Sequence, residues 1–326
     1  MSNMLEVKNL SIQYKTDHET VYAVDDISFE LEKGKTIGLV GETGAGKTTI
    51  AKALMQILPS RTARITDGEI LINGESLLAK STEELEKMRG KEMSMIFQDP
   101  MSSLNPVETI GDQIFEALHY HNTEKRSDEE LRQQVEEMLK MVGILPKRKN
   151  DYPHQFSGGM KQRALIAMAL ACKPNLLIAD EPTTALDVTI QAQVLQLMKD
   201  LREVQGTSMI MITHDLGVVA LMCDYVAVVY AGQIVEYGTL KDLYSGDKHH
   251  PYTEGLFGAI PNLRSKARRL SPVDGLMPDP TIVYEGCKFA PRCKYATEKC
   301  RTQRPSNYIA NGHTILCHKF TEGGLE

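Results

Sequence analysis

Apolar residues fall along this chain in short runs broken by polar turns. Leu5–Val7, Leu10–Tyr14 and Val21–Leu31 read as β-like runs near the start. Thr36–Val40 is an apolar run that feeds directly into Gly41. Similar runs follow at Met93–Phe97, Leu176–Ala179, Met209–Thr213 and Tyr225–Tyr230, with helical patterns between several of them. Such alternation predicts a mainly parallel α/β core.

One helix is readable in detail. Ser127 and Glu130 form an S-x-x-E capping box, after which Leu131, Val135, Met138, Leu139 and Val142 share a face and Gly143 supplies a stop. A second helix is predicted from about Val188 to Leu201, with Ile190, Val194, Leu197 and Leu201 as its buried stripe. Leu165–Cys172 is apolar but short, which predicts a buried helix. Between Gln98 and Asn175 the pattern is mostly helical, as expected of a helical subdomain inserted into the α/β core. After about residue 240 the texture changes: Leu263–Leu270 is basic, Ser271–Pro280 is proline-rich and Cys287–Cys317 is cysteine-rich. The expected organisation is a first domain over 1–245, with its helical subdomain at about 100–174, and an extension over 246–326.

Composition narrows the classes. Apolar residues make up 42% of the 326, enough for a full core. The formal charge, 37 − 43 = −6, argues against a nucleic-acid binder. No stretch approaches the ~20 apolar residues that span a bilayer. The opening residues carry no basic segment or long apolar run, so no secretory signal is expected. Four of the six cysteines lie after residue 286, and without an export signal that clustering favours metal over disulfides. Cys172 and Cys223 sit in apolar surroundings and are expected in the core. The basic run Arg264, Lys266, Arg268 and Arg269 reads as a solvated face.

Two motifs carry chemistry. Gly41, Glu42, Thr43, Gly44, Ala45, Gly46, Lys47 and Thr48 fit G-x-x-x-x-G-K-[ST], with Thr49 beyond, between an apolar run and a helix-like segment. The glycines let the backbone wrap phosphates. Successive N–H groups and the following helix N-terminus supply donors. Lys47 should reach the β- and γ-phosphates, and the Thr48 hydroxyl should ligate Mg²⁺. Downstream, Asn175–Glu181 reads as an apolar strand ending in two carboxylates. Asp180 would hold Mg²⁺ through water, and Glu181 would orient the water that attacks the γ-phosphate.

Phe156-Ser157-Gly158-Gly159-Met160-Lys161-Gln162-Arg163 resembles the signature motif of ATP-binding cassette proteins. Gln98 matches that family's Q-loop glutamine. Thr184-Ala185-Leu186-Asp187 matches the D-loop, with Thr184 where Ser is usual. His214 matches the switch histidine. The resemblance covers residues 4 to about 240. It implies a P-loop NTPase (RecA-like) core with an antiparallel β subdomain and an inserted helical subdomain. It makes Gln98 a Mg²⁺ ligand and sensor, His214 a γ-phosphate contact, and Tyr14 the ring that stacks on adenine, with Tyr22 as the alternative. It also implies a head-to-tail dimer, each ATP lying between one chain's phosphate loop and the other's signature. Ser157 followed by two glycines is itself an anion-binding helix start with a serine cap.

His250–Pro261 is similar to the segment that follows the cassette in ATPases of the oligopeptide/dipeptide/nickel importer family, and Cys287-x₅-Cys293-x₆-Cys300-x₁₆-Cys317 continues the similarity. Dipeptide-type members hold a [4Fe–4S] cluster in such a tail. Four thiolates suit a cluster. Tetrahedral zinc is the alternative, with His313 and His318 as further ligands. The implied protein is an ATPase at the cytoplasmic face of the bacterial inner membrane. It would drive peptide uptake with two permease subunits, a second ATPase subunit and an extracytoplasmic binding protein. Nickel is an alternative solute. A soluble ATPase acting on DNA or ribosomes, or a nucleotide kinase, fits the motif set less well.

Overall fold

Every apolar run named above seeds a strand in the computed structural model, which describes residues 2–184, 186–259 and 273–321. The strands are β1 (Asn3–Lys15), β2 (Thr20–Glu32), β3 (Thr36–Val40), β4 (Ala63–Ile72), β5 (Glu75–Ser76), β6 (Met93–Ile96), β7 (Leu176–Asp180), β8 (Ser208–Thr213), β9 (Tyr225–Tyr230), β10 (Gln233–Thr239), β11 (Asn307–Ala310) and β12 (His313–Leu316). The helices are α1 (Lys47–Leu54), α2 (Thr82–Met88), α3 (Pro100–Ser103), α4 (Ile110–Tyr120), α5 (Asp128–Met141), α6 (Gly158–Leu170), α7 (Val188–Gln205), α8 (Leu216–Met222), α9 (Leu240–Ser245), α10 (Pro251–Gly258), α11 (Glu298–Thr302) and α12 (His318–Thr321). Ala185, the end of the His250–Pro261 segment, and Arg264, Lys266, Arg268 and Arg269 lie outside the described residues.

The two early runs join into one strand. Asn9 stands between them with φ 49°. Its N–H donates to Ser28 Oγ (2.9 Å) and its side-chain amide to Asp26 Oδ1 (2.9 Å). This left-handed residue interrupts the two-residue alternation, so the sequence reads as two strands.

Chain contacts divide the molecule into two units. One comprises Met1–Leu5, Leu31–Thr36 and Ile72–Ile212. Within it β7 lies parallel between β6 and β8, in register Met93↔Leu176 and Leu176↔Ser208. Buried on both faces, these strands read as continuous apolar runs. The predicted capping box is present: Ser127 Oγ accepts the Glu130 N–H, and the Glu130 carboxylate accepts the Ser127 N–H. Leu131, Val135, Met138, Leu139 and Val142 are all buried, and Gly143 has φ 72°. Helix α7 departs from expectation. It buries Val194, Leu195, Met198 and Leu201, while Ile190 and Leu197 stay half-exposed. Ile190 instead lies against Gly159. The helix also runs on to Gln205, where Gly206 (φ 69°) ends it.

The other unit comprises Glu6–Glu30, Ile37–Leu71 and Thr213–Glu326. Strand β1 lies between β2 and β4. The turn joining β1 to β2 is closed by the Thr16 N–H donating to the Glu19 carbonyl (2.9 Å). Strand β3 pairs parallel with β9, from Ile37↔Tyr225 to Val40↔Val228. Beyond it β10 pairs antiparallel with β9, β12 with β10 (Glu236↔Ile315) and β11 with β12. The hairpin from the cysteine-rich tail thus extends the sheet that holds β3. Cys223 is buried, whereas Cys172 is only half-buried, its Sγ reaching the Ala117 carbonyl. Among the described residues no helix is long and apolar enough to cross a membrane.

Candidate nucleotide and cysteine sites

The loop after β3 is shaped by contacts that only glycine allows. A Cβ on Gly41 would lie 2.1 Å from the Val229 carbonyl oxygen. Gly46 has φ 103°, and a Cβ there would lie 2.5 Å from the Ala23 oxygen. Gly46 is also the N-cap of α1, so the first N–H groups of that helix have no side-chain cap. Lys47 is buried, and its Nζ donates to the Gly41 (2.6 Å) and Glu42 (2.9 Å) carbonyls. The lysine that should meet phosphate is thereby folded across its own loop. Tyr14 lies beside α1, its hydroxyl 3.3 Å from Thr49 Oγ1, whereas the Tyr22 N–H donates to Pro280 (2.8 Å).

Strand β7 delivers Asp180 to its end, where the side chain is buried. Glu181 follows with φ 47°, a conformation that costs a non-glycine residue of order 1 kcal/mol. Its N–H is held by the Ile212 carbonyl (2.9 Å). Gln98 Nε2 (3.0 Å) and the Thr184 hydroxyl (2.9 Å) both donate to Glu181 Oε2. Three predicted site residues, Gln98, Glu181 and the D-loop's Thr184, therefore meet at one carboxylate. Asp187 caps α7 by accepting the Ile190 N–H (2.9 Å). In the other unit, exposed His214 follows the last residue of β8, and Asp215 caps α8.

The signature opens α6. Ser157 stands at the N-cap position, but its hydroxyl makes no capping bond, contrary to the expected serine cap. Ser157 and Gly158 are exposed, and the first turn holds no acidic residue. The two glycines differ in what they do for the fold. A Cβ on Gly159 would lie 2.5 Å from Ile190 Cγ2, whereas one on Gly158 meets nothing nearer than Leu186 at 3.9 Å. Lys161 and Gln162 are buried, and Met160 half-buried.

The four tail cysteines, Cys287, Cys293, Cys300 and Cys317, line one cavity of about 420 Å³ together with His250, Phe289 and His318. Burial, with the neighbouring thiols adding to it, pushes Cys287 and Cys317 up to about 11. Burial also raises Cys293. All three are protonated near neutral pH, so a bound metal must displace protons. Among the described residues no three His, Cys, Asp or Glu side chains are gathered closely enough to hold a single metal ion. His313, considered as a zinc ligand, instead bonds Glu236 (2.9 Å).

Sequence reading missed the polar cluster around Glu236. This carboxylate is 1% exposed and accepts from the His250 N–H (2.8 Å), with the His249 and His313 rings each at 2.9 Å. The three histidines are visible in sequence, but β10 and β12 are not, and those strands bring them together.

Comparison with known proteins adds independent findings. The ABC transporter family matches residues 24–184, and the C-terminal region of oligopeptide/dipeptide transporters matches residues 235–300. The chain is similar to the oligopeptide transport ATP-binding protein AppD of Bacillus subtilis, 47% identical over 100% of this chain and 99% of that one. It is 48% identical to the dipeptide transport ATP-binding protein DppD of the same organism, over 97% of this chain and 95% of that one. Among solved structures it matches the ATP-binding cassette MJ0796, a dimer in a post-hydrolysis state bound to ADP and Pi. That match has TM-score 0.66 and 29% identity over 73% of this chain and 99% of that one.

Proposed function

The chain belongs to the ATP-binding proteins of ABC transporters, in the oligopeptide/dipeptide branch, and from that premise we propose that it powers peptide import by hydrolysing ATP at the interface of two cassettes. The observation that carries the catalytic reading is Glu181: a carboxylate held at positive φ and aimed by Gln98 and Thr184. Such strain persists where the surroundings enforce it, as the Ile212, Gln98 and Thr184 contacts do here.

The loop N–H groups and Lys47 take the phosphates. Lys47 exchanges its carbonyl partners for phosphate oxygens when nucleotide enters. Thr48, Asp180 and Gln98 each carry an oxygen donor of the kind Mg²⁺ takes, and each is assigned to the ion by its motif. Bound with the nucleotide, the ion would neutralise charge on the β- and γ-phosphates. Glu181 orients the attacking water, Gln98 senses whether a γ-phosphate is present, and His214 contacts it. Tyr14, beside α1, is the residue that stacks on adenine.

Gly158 supports the dimer. Among the described residues a Cβ there would meet nothing nearer than Leu186 at 3.9 Å. A closely approaching phosphate from a partner's nucleotide would demand a glycine there, with the Ser157 hydroxyl, the α6 N–H groups and the following Gly159, Met160, Lys161 and Gln162 as its seat. Asp187 then belongs to the D-loop at the same interface.

Permease subunits would dock on the helical region and the Gln98 loop, where Phe97 (43%), Val107 (78%) and Leu145 (60%) are exposed apolar side chains. The chain would lie peripherally at the cytoplasmic membrane face, with a second ATPase subunit and an extracytoplasmic binding protein completing the importer. The domain division proposed is a cassette over 1–245, with its helical part at about 100–174, and an extension over 246–326.

For the four thiols the reading kept is a [4Fe–4S] cluster, with zinc as the alternative. What supports the reading is that all four thiols line one cavity, four thiolates being the usual ligand set of such a cluster. Cys287, Cys293, Cys300 and Cys317 would hold it, and the cluster would cross-link the tail.

The test of the catalytic reading is Glu181→Gln. ATP binding should persist while phosphate release falls at least ~100-fold, the scale of a lost catalytic base. Unchanged turnover would overturn the assignment.

A further inference from the structure

Glu42 is an unconstrained position of the phosphate-loop motif, yet both its side chain and its backbone are held by partners far along the chain. Its carboxylate forms a two-pronged pair with Arg292, Nη1 to Oε2 at 2.9 Å and Nη2 to Oε1 at 3.0 Å. Its backbone N–H donates to the Tyr252 hydroxyl (2.9 Å). Both partners come from the C-terminal extension: Tyr252 from α10, and Arg292 from the turn between Cys287 and Cys293.

The extension is built to hold Arg292 still. Only 5% of its side chain is exposed. Nε donates to the Asp274 carbonyl (2.8 Å) and Nη2 also to the Val273 carbonyl (3.1 Å), so every nitrogen of the fork is engaged. Phe289, three residues earlier, packs against Tyr230 and Tyr252. Lys288 Nζ reaches the Ala231 carbonyl and Asp25 Oδ2, both at 2.9 Å. Tyr252 is wholly buried.

We propose that Arg292 and Tyr252 are positioning residues for the nucleotide: they fix the backbone of the phosphate loop at Glu42 and neutralise a carboxylate that would otherwise repel the triphosphate. A carboxylate five residues from the phosphate lysine is a liability in an anion site, because like charges in a partly buried loop repel. The guanidinium fork cancels that charge and sets its direction, which a lysine cannot reproduce. Tyr252 already accepts the Glu42 N–H, so the later loop N–H groups are the ones left for phosphate. The cysteine-bearing extension is on this account a structural part of the ATP site. The inference rests on the nucleotide reading of the loop, and its test separates the two.

The experiment measures equilibrium binding of ATP to the full-length chain, with melting temperature recorded for each variant. Lys47→Ala should abolish binding; if it does not, the reading of the loop itself fails. Arg292→Ala should weaken binding about tenfold or more, and Arg292→Lys should recover only part of that loss. The double variant Glu42→Gln, Arg292→Ala should regain most of the affinity, because the stranded carboxylate is gone. A merely structural role for Arg292 predicts no such rescue, since Glu42→Gln adds nothing to the fold of the extension. If Arg292→Ala binds ATP normally while Lys47→Ala does not, or if the double variant stays as weak as Arg292→Ala, the proposal is overturned.

Discussion

At the scale of single residues, environment decides which side chain does what. His250 and Glu236 illustrate it. Burial around Glu236 pushes its carboxyl up, but hydrogen bonds from His249, His313 and the His250 N–H outweigh this and bring it down to about 2. Its contribution to stability is present above the unfolded value of 4.5 and is lost as pH falls toward 2. His250 is fully buried, its Nδ1 accepting the Tyr252 N–H (3.1 Å). Burial brings its ring down to about 4, against the opposing pull of Glu236 and Glu254. A depressed histidine stabilises above its unfolded value of 6.5, and that stability drains away as pH falls toward 4. His249 works the other way. Glu236 raises it, so its contribution is present below 6.5 and lost as pH climbs through the raised value. Replacing His250 with Asn keeps an acceptor for the Tyr252 N–H and removes the titration. Chemical denaturation at pH 7 and pH 5 should show the native chain losing about 2 kcal/mol more than His250→Asn over that interval. Equal losses would mean that His250 does not titrate as described.

At the scale of elements, local sequence and tertiary contact share control unequally. Helix α5 is specified locally. Its box, apolar face and terminal glycine all lie within seventeen consecutive residues, Ser127 to Gly143. Ser127→Ala should lower unfolding free energy by about 1 kcal/mol, read from denaturant midpoints, and leave ATP binding untouched. A shift of several kcal/mol would mean the box supports more than its own helix. Helix α7 shows the opposite case. Its apolar residues permit more than one buried face; the one observed buries Val194, Leu195, Met198 and Leu201, with Ile190 set against Gly159 on another helix. The N-terminus of α6 is a third case: the sequence places Ser157 at the start but leaves its hydroxyl uncommitted.

For the whole molecule, the cysteine-rich tail is woven into the cassette. Its hairpin continues the sheet through β10, and its turn grips Glu42. The cavity lined by four thiols should therefore matter to more than the tail. Cys293→Ser is expected to remove iron and brown colour from protein purified without oxygen, measured by metal analysis and absorbance. Iron retained at the level of the unchanged chain would defeat the cluster proposal.

The sequence by itself determined the class of chemistry here. The phosphate loop and the signature are contiguous motifs, because a loop or helix start suited to an anion presents consecutive backbone groups, and the two strand-end carboxylates are adjacent in the chain. The order of the apolar runs likewise determined the parallel α/β core. What tertiary structure decided is everything that joins distant segments. Gln98 and Thr184 converge on Glu181, His249 and His313 on Glu236, and Arg292 and Tyr252 on Glu42. Strands β4, β10, β11 and β12 carry too many polar residues to announce themselves, and they form because a neighbouring strand supplies their hydrogen bonds. A polar side chain gains a role only when folding removes its water and offers one partner instead, and no local pattern records which partner that will be.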